Sequence, residues 1–72
     1  MAVTLYVKDG CARCDAFRRR LAADEIAYTE LNVERQPELA PELVKLTGGR
    51  RIVPVLVDGV RIEVAPDGGS TF

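Results

Sequence analysis

Val7-Lys8-Asp9-Gly10-Cys11-Ala12-Arg13-Cys14-Asp15 decides how this 72-residue chain is read. The stretch holds both cysteines, between an apolar run that reads as strand and a basic run that reads as helix. In a chain without secretory features, C-x-x-C at a strand-to-helix junction reads as a dithiol redox site. With Cys11 at the helix start and Cys14 one turn later, both sulfurs fall on one side of the first turn, within bonding reach. Cys11 then lies among unpaired amide N–H groups at the positive pole of the helix, where a thiolate is stabilised. Cys14 is its shielded partner.

On the N-terminal side, Ala2-Val3-Thr4-Leu5-Tyr6-Val7 alternates, with Val3, Leu5 and Val7 on one face and Thr4 and Tyr6 on the other. It reads as a strand central to a small sheet. Gly10 serves either a turn with unusual backbone angles or the close approach of another chain. On the C-terminal side residues 12–23 favour helix. Cys14, Phe17 and Leu21 make the stripe that faces the sheet. Lys8, Arg13, Arg18, Arg19 and Arg20 against Asp9 and Asp15 leave a local excess of three positive charges, which favours thiolate and anionic substrates. Arg19 and Arg20 read as solvated surface, and Arg18 as a neighbour of the site.

Residues 26–33 read as a second strand. With the first strand and helix they form a βαβ unit, so the two strands are expected to be parallel with a right-handed crossover. Pro37 is placed to open a second helix whose buried face is Leu39, Leu43 and Leu46. Pro41 either distorts its first turn or moves its start. Thr47-Gly48-Gly49 ends it, with Gly48 or Gly49 as the left-handed cap. Residues 55–57 read as a third strand. Asp58-Gly59 signals a hairpin into a fourth strand over 60–64, whose face with Arg61 and Glu63 is expected to be wet. Residues 65–72 are turn-rich.

The totals fit one small α/β domain: 47% apolar, 29% charged, net charge −1. That charge gives no argument for nucleic-acid or membrane partners. The N-terminus lacks the order of a signal peptide. A Cys11–Cys14 bridge closes so short a loop that it hardly restrains the unfolded chain, which makes a purely structural disulfide the weaker reading. A cytoplasmic, reducing setting is expected.

The order β-α-β-α-β-β carries Lys8-x-x-Cys11-x-x-Cys14, Thr47-Gly48-Gly49-Arg50, Val53-Pro54 and Val57-Asp58-Gly59. In this it resembles the thioredoxin fold in its short glutaredoxin form, NrdH-type redoxins included. The resemblance covers nearly the whole chain. It implies a mixed four-stranded sheet with helices packed on it, and a thiol–disulfide oxidoreductase with Cys11 as attacking thiolate and Cys14 as resolving thiol. By the same resemblance Pro54 is cis, leaving the N–H and C=O of Val53 to pair with a glutathione or peptide laid across the site. Lys8 corresponds to a lysine that contacts the glutathione glycyl carboxylate, and stands equally as a loop lysine. Gly68 and Gly69 are the candidates for the family's glycine pair at that subsite.

Two departures stand out. Ala12-Arg13 replaces the common Pro-Tyr, which puts Arg13 beside the nucleophile, and the family's third helix has no counterpart, as in a natural short form. No bound cofactor or metal is implied. Electrons are expected from glutathione or thioredoxin reductase, and substrates are disulfide-containing proteins. A bare Tyr6 face points to a monomer or weak homodimer. Two rivals remain: a metal or iron–sulfur carrier using two thiolates across a dimer, and a non-catalytic docking module.

Overall fold

A computed structural model describes residues 3–65 and 69–72 of the chain. Strand β1 (Val3–Val7) lies inside a four-stranded sheet of order β2-β1-β4-β5. It pairs in parallel with β2 (Thr29–Asn32), Thr4 opposite Thr29 through Val7 opposite Asn32, as the βαβ reading requires. On its other side it runs antiparallel to β4 (Val55–Asp58), which turns at Gly59 and Val60 into β5 (Arg61–Val64). Leu5, Tyr6 and Val7 are buried in succession. Since neighbouring strand residues point to opposite faces, both faces of β1 are covered.

That corrects the expectation of a bare Tyr6. Tyr6 is 5% exposed, and burial pushes its phenol above the usual value, with the Glu42 carboxylate of the second helix adding to the effect. Tyr6 belongs to the same buried cluster as Leu43, so the second face of β1 is also covered.

Helix α1 spans Ala12–Ala23, the expected length, and buries Cys14, Phe17 and Leu21. The chain leaves it through Glu25 in the left-handed region (φ 55°). The N–H of Ile26 donates to the Leu21 carbonyl and that of Glu25 to the Ala22 carbonyl, the two bonds of a Schellman cap. Ile26 is thus committed to the helix end, which is why β2 starts later than the strand expected over 26–33. Pro37–Leu39 form a 3₁₀ turn that runs into α2 (Ala40–Leu46), so the two prolines divide one helix into a tight entry and a regular body. Gly48 (φ 73°) closes α2 in the same way, the N–H of Gly49 reaching the Val44 carbonyl.

Two short strands were not expected. Ile52–Val53 form β3, separated from β4 by Pro54, and Ser70–Thr71 form β6; the two pair antiparallel as a ribbon apart from the main sheet. Among the described residues no helix follows β5. The Arg61/Glu63 face of β5 is not simply wet. Glu63 is tied to Arg20 of α1 by paired hydrogen bonds of 2.6 and 3.0 Å, while Ile62 on the other face is 43% exposed. Arg20 also lies over the Phe17 ring, 4.7 Å from its centre, so it braces the helix against the sheet edge rather than standing free as surface.

Candidate active site

Cys11 is the N-cap of α1, with extended backbone (φ −102°, ψ 107°). Its carbonyl accepts the first helical bond from the N–H of Asp15, and its sulfur accepts the N–H of Cys14 at 3.1 Å. Sulfur here takes the place of the oxygen that usually caps a helix start. Gly10 precedes it at φ 67°, and nothing stands within 4 Å of where a Cβ would be. The backbone angle of the turn, not close approach, is what asks for glycine.

The two cysteines are joined as a disulfide, with Cα atoms 5.2 Å apart. Cys14 is fully buried and Cys11 is 3% exposed. Both share one buried cluster with Val53 and Val55, the neighbours of Pro54. The Val53–Pro54 peptide is cis, as the resemblance implied, and Pro54 is itself buried. The site therefore draws on three places: the end of β1, the start of α1 and the β3–β4 junction.

The loop from β1 to Cys11 is held by residues that the sequence reading passed over. Asn32 at the end of β2 donates from Nδ2 to Asp9, and its Oδ1 accepts the N–H groups of Glu34 and Arg35. Arg35 returns to Asp9 at 3.0 Å. The available signal was Asn32 placed just before a connection, where its side chain commonly closes a turn on the backbone ahead.

Of the five cations expected around the site, Arg18 and Arg20 are paired with carboxylates. Arg18 does not turn to the sulfurs; it pairs with Asp15 and, at 2.7 and 3.1 Å, with Glu30 on β2. These carboxylates hold its guanidinium above the usual range, and Glu63 does the same for Arg20. Arg13 is exposed on the first turn.

The remaining predicted residues meet one another rather than a free edge. Lys8 donates from Nζ to the main-chain oxygen of Thr71 at 2.8 Å. Val53 is opposite Ser70 in the ribbon, so its backbone is not left free as expected. Gly69 (φ 61°) lies so close to Val53 that a Cβ there would run into the Val53 carbonyl oxygen. Gly68 lies outside the described residues. Arg51 was not singled out from sequence, yet it carries much of the tail. Its Nε donates to the Phe72 main-chain oxygen at 3.0 Å, its carbonyl accepts the N–H of Phe72, and its guanidinium lies 4.7 Å from the centre of the Phe72 ring. Phe72 also walls an open cleft whose other side is Pro37, Pro41 and Val44.

The family model named glutaredoxin matches residues 3–62. Among curated proteins, the glutaredoxin-like protein NrdH of Lactococcus lactis subsp. cremoris is 35% identical over 54 residues, covering 75% of this chain and 72% of its own length. The Escherichia coli (strain K12) protein of the same name is 32% identical over 59 residues, 82% and 70% of the two chains. A solved structure of the E. coli NrdH-redoxin, described as a glutaredoxin-like protein with a thioredoxin-like activity profile, superposes with a TM-score of 0.81 at 29% identity. The match covers 90% of this chain and 83% of that one.

Proposed function

We propose, for a chain that belongs to the glutaredoxin family and is a thiol–disulfide oxidoreductase, that Cys11 is the attacking sulfur and Cys14 the resolving one. The observation that carries this assignment is the N–H of Cys14 directed at the Cys11 sulfur at the start of α1. In the reduced protein the same N–H, with the helix pole behind it, favours the thiolate at position 11. Among the described residues no N–H is directed at the sulfur of the fully buried Cys14.

Cys11 thiolate attacks one sulfur of a substrate disulfide, forming a mixed disulfide and expelling the first substrate thiolate. Cys14, deprotonated as it reacts, attacks the Cys11 sulfur. The second substrate thiolate leaves and the Cys11–Cys14 bond forms. Two electrons pass from the cysteine pair to the substrate, and its two leaving sulfurs take up the two protons.

Replacing Cys14 with Ser should accumulate a mixed disulfide at Cys11, read as intact mass, while Cys11→Ser should accumulate none and show no turnover. An adduct on both variants, or on neither, would reverse or remove the assignment.

The electron source best supported is a flavin reductase of the thioredoxin type rather than glutathione. Glutathione would depend on Lys8 and the Val53 backbone, and both are engaged by residues 70–71. A protein partner burying some 800 Å² per side has contacts to spare for displacing them; a tripeptide has few. The thioredoxin-like activity described for the E. coli relative points the same way. Recycling of the oxidised protein should be faster with thioredoxin reductase than with glutathione and its reductase, and the opposite order would overturn this choice alone.

Disulfide-bearing proteins of a reducing, cytoplasmic compartment are the substrates this reading implies. With Tyr6 buried, the reason for self-association is gone, and the protein acts as a monomer. Sedimentation that shifts between micromolar and near-millimolar concentration would contradict that.

A further inference from the structure

The edge at which an extended substrate would add is already occupied, by the chain itself. Ile52 faces Thr71 and Val53 faces Ser70, antiparallel. Antiparallel pairs alternate between hydrogen-bonded and non-hydrogen-bonded. The N–H of Phe72 donates to the carbonyl of Arg51, two residues before Val53. Val53 and Ser70 are therefore the next hydrogen-bonded pair, which takes up both the N–H and the C=O of Val53. Lys8 and Arg51 hold the main-chain oxygens of Thr71 and Phe72. Each of these contacts except the Phe72 ring is made to backbone, as a foreign strand would make it.

We propose that residues 69–72 are an internal occupant of the substrate edge, a strand that must leave Val53 before a polypeptide disulfide can lie along it. The inference rests on the oxidoreductase reading and adds a gate to it. A two-pair ribbon with exposed Thr71 and half-exposed Ser70 is short enough to open. The steric fit of Gly69 against the Val53 carbonyl makes the closed position depend on one residue. A small disulfide without a peptide backbone has no need of the Val53 edge and is indifferent to the gate.

Two variants of the full chain open it by different routes. Ser70→Pro removes the N–H that serves the Val53 carbonyl. Gly69→Ala places a methyl group where that carbonyl stands. The pre-reduced protein is mixed, without any reductase, with insulin as the polypeptide disulfide and with bis(2-hydroxyethyl) disulfide as the small one. Hydrogen exchange of the Val53 amide is followed in parallel.

The expected result is a protected Val53 amide in the wild type and loss of that protection in both variants. Insulin reduction should rise about tenfold in both, equivalent to about 1.4 kcal/mol of ribbon closure. The rate of Ser70→Pro with the small disulfide should stay within about twofold of wild type, since that probe uses none of the ribbon's hydrogen bonds. An unprotected Val53 in the wild type overturns the gate. So does an opened ribbon without faster insulin reduction, or an equal rise with both disulfides. If wild type and variants reduce neither probe, the oxidoreductase reading falls, and the gate with it.

Discussion

The main sheet and the β3–β6 ribbon both border the cysteine pair, and they are held by different means. In the main sheet β1 and β4 make four register pairs, and Leu5, Tyr6, Val7, Val55 and Leu56 are all buried. The ribbon has two register pairs and no buried side chain on its outer strand. Its hold is on main-chain oxygens, through Lys8 and Arg51. Side-chain burial selects one sequence and keeps it. Main-chain pairing accepts any extended segment, which suits a surface whose function is to exchange one strand for another.

The sharpest way to break this contrast is to weaken each region in turn and compare global stability. Leu5 is fully buried at the centre of β1, so Leu5→Ala leaves a cavity and should cost about 2–5 kcal/mol. Against a total of about 5–15 kcal/mol for a small protein, much of the population would unfold on mild warming. Ser70→Pro should lower stability by no more than that of ribbon closure, about 1.4 kcal/mol, short of the cost of Leu5→Ala. If the ribbon variant lowered it as far as Leu5→Ala does, the ribbon would be part of the scaffold.

The next test stays within the ribbon. Arg51→Gln removes the guanidinium over the Phe72 ring and weakens the hold on the Phe72 main-chain oxygen. A cation over a ring at an exposed site is worth about 0.5–1 kcal/mol. Exchange of the Phe72 amide should therefore quicken by about two- to fivefold, while amides of β1 keep their protection. Equal quickening in β1 and in the tail would show the two regions to be one cooperative unit.

The same contrast explains what could be read from sequence. Strand β1, helix α1 and the hairpin follow from periodicity and turn chemistry, because their side chains decide where they go; the turn itself falls at Gly59-Val60, one residue past the Asp58-Gly59 that signals it. The cysteine pair at the helix start was legible for the same reason. The ribbon was not. Residues 69–72 have neither alternation nor length, and their place depends on backbone groups of Val53 far away in sequence. The burial of Tyr6 was not legible, because a half-apolar strand pattern cannot show that its second face joins the cluster that holds Leu43. Arg20 was misread because its partner Glu63 is 43 residues distant, beyond any helical spacing rule.

That Arg20–Glu63 tie is the smallest effect and belongs to the main sheet, where it asks whether a side-chain tie must be buried to matter. Both partners are nearly half exposed, so their coupling in a double-mutant cycle should be only about 0.2–1 kcal/mol. The hydrogen bond from Arg20 holds the Glu63 carboxyl below its usual range, against the opposing effect of burial. A depressed carboxyl stabilises the fold above its unfolded value, about 4.3 for glutamate, and that stability is lost as pH falls through the lower folded value. Arg20→Gln should thus lower stability at pH 7 slightly, and the deficit should shrink as pH falls through the lowered folded value of Glu63. A deficit that persisted undiminished at low pH would mean that Arg20 braces α1 through the Phe17 ring rather than through the carboxylate. Even then it would remain a side-chain tie of the kind the ribbon's outer strand does without, apart from Phe72.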